Sequence, residues 1–245
     1  MTDVSIVLPT FNEAGNLKLL IPDLVQQLES HYDFEILVVD DMSHDGTQSI
    51  VSQMTLLNPR IRLIERLDER GLASALHRGV LEAKGRSIIL MDADTTHHAS
   101  NIPILLHVHT AFDIVSASRF TSGGAMQGRV RYLGSYLFNL WIRAVLRTQI
   151  QDNLAGFFVI RRDLLMSLPL HYIFRGYGDY FLRLLYLARR RGFTIVEIPT
   201  VYTVRPYGLS KSRLMKMVFT YTGAALGVRM KAKSLDNVGN HLTGR

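Results

Sequence analysis

Four apolar segments organise the first ninety residues: "VSIVLP" (4–9), "FEILVV" (34–39), "IRLIER" (61–66) and "SIILM" (87–91). Between them lie stretches with helical spacing: Glu13 to about Glu29, "GTQSIVSQMTLL", and "LASALHRGVLEA", closed by Gly85. Strands apolar on both faces that alternate with helices build a parallel sheet covered on both sides. The expected fold is therefore α/β, with a mostly parallel sheet flanked by helices. In such a sheet, ligands bind at the carboxyl ends of the strands. The polar residues of this chain fall there: "PTFNE" after the first strand, "DD" after the second and "DAD" after the fourth. Aspartate is a poor strand residue, so Asp40, Asp41, Asp92 and Asp94 mark that edge as a candidate site. Asp45, in "DGTQ", suits a helix N-cap instead.

The second half is less regular. "DIVSAS" reads as a strand, "TSGGAMQGRVR" as a loop, 131–147 as a helix and "GFFVI" as a short strand. A helix over Tyr180–Arg191, strands "TIVEIP" and "VYTVR", a loop "PYGLSKS" and a helix over about 212–230 follow. This gives a domain over 1–211, an amphipathic helix over 212–233 and a tail, read as mobile, over 234–245. Tyr132–Ile142 and Met217–Val228 carry no charge and are flanked by Arg or Lys. The first is expected as a core helix. For the second, core packing and a place in a membrane interface weigh equally. No segment reaches the roughly 20 apolar residues that span a bilayer, and "SIVLP" is too short for a signal peptide.

The net charge of +7 points to an anionic partner: a phosphorylated substrate, a membrane surface or nucleic acid. The last is set aside, because no nucleic-acid-binding motif or aromatic interleaving accompanies the charge. With no cysteine there is neither a disulfide nor a thiolate metal site, and a reducing cytoplasm fits. Neither G-x-x-x-x-G-K-[ST] nor G-x-G-x-x-G occurs, which argues against a P-loop NTPase and a dinucleotide-dependent dehydrogenase. The carboxylates Asp92 and Asp94 suit Mg²⁺ or Mn²⁺, hard cations that take oxygen ligands and leave places for phosphate and water. His97 and His98 are left out of that shell.

"SIVLPTFNEAGNL", "ILVVDDMSHDGT", "GLASALHRGV", "MDAD", "SASRF" and "VRPYGLSKS" occur in one order over about 3–213. Together they resemble a family 2 glycosyltransferase of the GT-A fold, and within it the dolichyl- or polyprenyl-phosphate mannosyltransferase group. The resemblance implies that Pro9, Phe11 and Glu13 line the nucleoside, with Val39 as a wall and Asp41 as acceptor for the base. Asp92, Ala93 and Asp94 would hold the cation and diphosphate, and Arg119 would lie near the diphosphate and sugar. Arg205, Ser210 and Lys211 would close over the donor. Arg131 and Ser135, spaced i, i+4 on a helix, resemble the pair that holds the acceptor phosphate. Two positions depart from the pattern: Thr96 stands where a glutamine is common, and His98 where a proline is. The C-terminal transmembrane helices of many relatives are also missing.

The implied activity is inverting transfer of a hexose, mannose favoured, from GDP-mannose to a polyprenyl or dolichyl phosphate. The enzyme would act at the cytoplasmic, inner face of the membrane by peripheral contact. A lipid phosphate is already anionic near neutral pH, so no base is required. The alternative is a soluble transferase using UDP-glucose or another UDP-sugar on a glycan or small acceptor, which would need a base such as Asp179. A nucleotide-sugar-binding protein without turnover is the reading from another class.

Overall fold

The computed structural model describes residues 2–203 and 214–240. Strands β1 (Val4–Thr10), β2 (Phe34–Asp40), β3 (Ile61–Glu65) and β4 (Ser87–Leu90) alternate with helices α1 (Ala14–Leu28), α2 (Thr47–Leu57) and α3 (Leu72–Glu82). A 3-10 turn, Ala99–Asn101, leads into α4 (Ile102–His109) and then β5 (Ile114–Ser118). After them come β6 (Ala125–Met126), α5 (Arg129–Leu146), β7 (Phe158–Arg161), α6 (Arg162–Ser167), α7 (Leu170–Ile173) and α8 (Tyr180–Arg190). The order ends with β8 (Ile195–Pro199), β9 (Val201–Tyr202) and α9 (Leu214–Asn240).

Seven strands form one sheet in the order β3-β2-β1-β4-β7-β5-β8, and β6 pairs with β9 alone. All neighbours in the large sheet are parallel except β7, which runs antiparallel to β4 and β5. Period-two alternation sends successive side chains to opposite layers. Val7, Leu37, Val39, Leu90 and Phe158 join one core with residues of α3, α5 and α8. Ile6, Leu8, Val38, Ile89 and Val159 join the other with residues of α1 and α4. Helix α3 lies so close to β1 that a Cβ at Gly79 would sit 2.3 Å from Val7 Cγ1.

The chain runs outward from β1 through β2 to β3 and returns to β4 on the other side of β1. That reversal is the switch point at which open α/β sheets bind ligands. An antiparallel strand enters the sheet where parallel strands leave it. The residues just before β7 are therefore delivered to the same edge as the ends of β4 and β5.

Several elements differ from the sequence reading, among them β6, inside the stretch 121–131 read as a loop, and α6 and α7, which it did not anticipate. Helix α4 was not expected: "IPILLHVH" is too uniformly apolar to show a period, and its Pro103 sits in the first turn, where the missing N–H costs nothing. Helix α5 is a core helix along one stripe only. Only Asn139, Ile142 and Leu146 are buried on it, while Val130 is 88% exposed and Leu133, Leu137, Leu140 and Trp141 are also exposed. Its uncharged residues form two stripes, and only one meets the domain. Helix α9 continues to Asn240, through much of the stretch read as a tail. It packs on α5: Trp141 Nε1 donates to Thr222 Oγ1 at 3.0 Å, and Arg229 Nη1 to the Val145 carbonyl at 2.6 Å.

Candidate active site

The loops after β1 and β2 are tied together. Asn12, in the left-handed region at φ 58°, receives a hydrogen bond from the His44 N–H at Oδ1 and donates its own N–H to Ser43 Oγ, both at 2.8 Å. Asp40 is fully buried and accepts from the Ser43 and Gln48 side chains and the Ser43 N–H, so its role is to hold this turn. Asp45 accepts from the Thr47 N–H and hydroxyl but also from Ala14 N–H of α1, and the N-cap of α2 is Gly46.

Beside this turn lie Pro9, Phe11, Glu13 and Asp41. The Arg70 guanidinium lies 5.1 Å from the centre of the Phe11 ring. Glu13 accepts from Asn16 Nδ2 at 2.6 Å. Asp41 accepts the Gly71 N–H at 2.7 Å and lies 3.0 Å from Arg66 Nε. Burial pushes the Asp41 carboxyl above the usual carboxylate value, against the pull of the Gly71 N–H and Arg66. Val39 is fully buried against α3, so it underlies this region and does not form an exposed wall.

At the end of β4, Asp92 is half-buried and Asp94 is 4% exposed. Asp94 Oδ1 accepts both the Thr96 N–H, at 3.0 Å, and the Thr96 hydroxyl, at 2.6 Å. The threonine that replaces a glutamine therefore braces the carboxylate. His97 accepts the Asp92 N–H at Nδ1 and packs between Phe157 and Tyr202, with ring centres 4.9 and 4.7 Å away. Its place is in this aromatic cluster. Among the described residues no three His, Cys, Asp or Glu side chains converge as a metal-binding group. The protein's share of a cation shell at this edge would be the two carboxylates.

Arg119 follows β5 and is 6% exposed. Its Nε and Nη2 donate to the two oxygens of Asp152, each at 2.7 Å, and its N–H donates to Asp152 Oδ2 at 3.1 Å. Burial works against the guanidinium's charge, but the Asp152 carboxylate raises its pKa above the ordinary value, with a further contribution from nearby Asp92. Sequence reading left Asp152 out. In "QDNL" it looks like any polar turn, and only the antiparallel entry of β7 carries it to this edge. Glu197, undecided from sequence, accepts the N–H groups of Gln151 and Asp152 at 2.7 and 2.8 Å. Phe120 next to Arg119 touches α5 edge-on, at 5.4 Å from both Tyr132 and Tyr136. Arg131, exposed, and Ser135, half-buried, flank those tyrosines on α5. Asp179 is buried and engaged by the Arg183 guanidinium and the Tyr177 N–H. Arg205, Ser210 and Lys211 lie outside the described residues.

Comparison with known proteins gives the family and the fold. Residues 5–168 match the glycosyl transferase family 2 profile. The chain is 30% identical over 224 residues to a dolichol-phosphate mannosyltransferase of Pyrococcus furiosus, covering 89% of this chain and 61% of that protein. It is 31% identical to a polyprenol monophosphomannose synthase of Mycolicibacterium smegmatis, covering 84% of this chain and 79% of the relative. It is also 31% identical to an undecaprenyl-phosphate mannosyltransferase of Micrococcus luteus, covering 84% and 85%. Among solved structures, glucosyl-3-phosphoglycerate synthase of Mycobacterium tuberculosis, in complex with Mn²⁺, UDP and glucosyl-3-phosphoglycerate, superposes with a TM-score of 0.68. That pairing is 18% identical and covers 92% of this chain and 79% of that one, which speaks to the GT-A fold. By its matched profile, its relatives and its sheet, this chain belongs to glycosyl transferase family 2.

Proposed function

We propose that the protein transfers mannose from a nucleotide sugar to a polyprenyl phosphate at a membrane surface. The observation that carries this reading is the outward face of α5. From Arg119 the chain of contacts runs through Phe120 to Tyr132 and Tyr136, one residue from Arg131 and Ser135. On the same helix Val130, Leu133, Leu137, Leu140 and Trp141 face solvent. An arginine and a hydroxyl suit a phosphate, and an apolar stripe beside them suits the lipid that carries it. Phe219, Leu226 and Met230 on α9 are also exposed, and exposed Arg129, Arg147, Lys231 and Lys233 suit an anionic leaflet. The names of the three relatives support a lipid-phosphate acceptor and mannose.

The soluble-acceptor alternative turns on Asp179. A hydroxyl acceptor needs a base, and this carboxylate is held by Arg183 and Tyr177. A lipid phosphate oxygen attacks the anomeric carbon without one, while the bond to the nucleoside diphosphate breaks. Phe11, Glu13 and Asp41 would hold the nucleoside, with GDP preferred. Asp92 and Asp94 form an oxygen-donor pair that fits Mg²⁺ or Mn²⁺, with Thr96 bracing Asp94. Such a cation, when bound, supplies charge neutralisation for the departing diphosphate. Arg119 would add a fixed positive group at that edge.

The test is release of nucleotide from GDP-mannose or UDP-glucose, with Mg²⁺, in the presence and absence of a short polyprenyl phosphate. Lipid-dependent release of GDP is the expected result. Faster transfer to a soluble sugar than to any lipid phosphate overturns the acceptor assignment, and a preference for UDP-glucose overturns the donor.

A further inference from the structure

We propose that Asp152 is a positioning residue for sugar transfer: it aims the Arg119 guanidinium at the diphosphate, and Glu197 holds Asp152 in place. The inference rests on the transferase reading above. One carboxylate grips residue 119 at three points, through the main-chain N–H, Nε and Nη2. A guanidinium held by a two-pronged pairing cannot swing about its long side chain. Its flat faces are also confined, with the Phe120 and Tyr202 rings 5.1 and 4.9 Å from Cζ. Tyr202 is itself pinned by its hydroxyl, which donates to the Ala155 carbonyl at 2.8 Å. Among the described residues nothing accepts a hydrogen bond from Nη1. The pairing therefore leaves one end of the guanidinium for an incoming anion, at an edge where Asp92 is close enough to affect its charge.

Asp152 is fully buried and is fixed in turn. Its own N–H and that of Gln151 end on the two oxygens of Glu197. Glu197 sits on β8 opposite Ser116 of β5, the strand that Arg119 follows. Both ends of the relay are thus anchored on one pair of adjacent strands. A donor aimed in advance at developing charge accelerates a reaction without tightening ground-state binding. Losing Asp152 should therefore lower kcat more than it raises the donor KM.

The experiment is a double-mutant cycle of Asp152→Asn and Arg119→Lys, with kcat and KM measured for donor and lipid. Asp152→Asn is expected to lower kcat on the order of 10²-fold while donor KM changes by less than about threefold. The double variant should lose little more than Arg119→Lys alone, because Asp152 acts through that arginine. Glu197→Gln, which keeps one acceptor oxygen, is the second variant should Asp152→Asn not fold, and a smaller loss confined to kcat is expected of it. Multiplicative losses in the double variant, or wild-type kcat in Asp152→Asn or Glu197→Gln, overturn the relay. A wild-type protein that turns over no GDP- or UDP-hexose with polyprenyl phosphate overturns the transferase reading, and the relay with it. Wild-type turnover with multiplicative losses overturns the relay only.

Discussion

Thr96 supports Asp94 directly: its hydroxyl and N–H both end on Asp94 Oδ1, so it orients a carboxylate proposed to meet a cation. Asp94→Asn should abolish most turnover with an unchanged thermal midpoint, and excess EDTA should do the same to the wild type, reversibly with Mg²⁺ or Mn²⁺. Thr96→Val should raise the cation concentration for half-maximal activity by about tenfold, as loss of an outer support typically does. Unchanged metal dependence in both variants would remove the cation from this edge. Far from the site, Glu35 governs part of the response to acid. Burial opposes its charge, but the Ser5 hydroxyl, the Lys84 N–H and Arg62 together lower its pKa below the ordinary 4.5. A lowered carboxylate stabilises the fold above its unfolded value, and that stability is lost as pH falls through the folded one. Glu35→Gln should cost about 1–3 kcal/mol at pH 7, with the gap to wild type closing in denaturant melts as pH falls below about 4.5.

Helices α3 and α5 are opposite cases of how an apolar face is used. Helix α3 is packed to contact: an added methyl at Gly79 would overlap Val7, a buried β-branched side chain with no room to turn. Gly79→Ala should therefore destabilise by about 1–3 kcal/mol despite alanine's better helix propensity, as read from urea unfolding. Helix α5 leaves apolar area in solvent. Leu133→Asp with Leu137→Asp should weaken cosedimentation with anionic vesicles while leaving the thermal midpoint within about 1 °C, since exposed positions contribute little to the fold. Vesicle binding equal to wild type would leave α5 with no membrane role.

As a whole the molecule carries a charge of +7, and its basic groups include several on α5 and α9. Binding to anionic vesicles should weaken as salt rises, while binding through the apolar stripe alone would not. Donor choice is also read from the intact protein. A nucleotide sugar at about 100 times its Kd adds roughly 2.7 kcal/mol of stability, so a panel of GDP- and UDP-sugars with Mn²⁺ should show the largest thermal shift for GDP-mannose. A larger shift with UDP-glucose would reverse the preference.

Much of the fold was legible because its determinants are local. The alternation of apolar segments and helical spacing located β1 to β5 and α1 to α3. The carboxylates at strand ends, Asp92 and Asp94 among them, lie where that alternation predicts, at the edge proposed here for binding. Helix α4 was not legible, since a uniformly apolar run carries no period, and the exposure of α5 was not, since absence of charge does not say which stripe meets the domain. Asp152 reaches Arg119, and Glu197 reaches Asp152, only because β7 runs against its neighbours and β8 lies beside β5. Local propensity sets which residues form strands and helices, and strand order is set by which faces can be buried together. Pairings between residues 33 and 45 positions apart, such as Arg119 with Asp152 and Asp152 with Glu197, exist only after the sheet has closed.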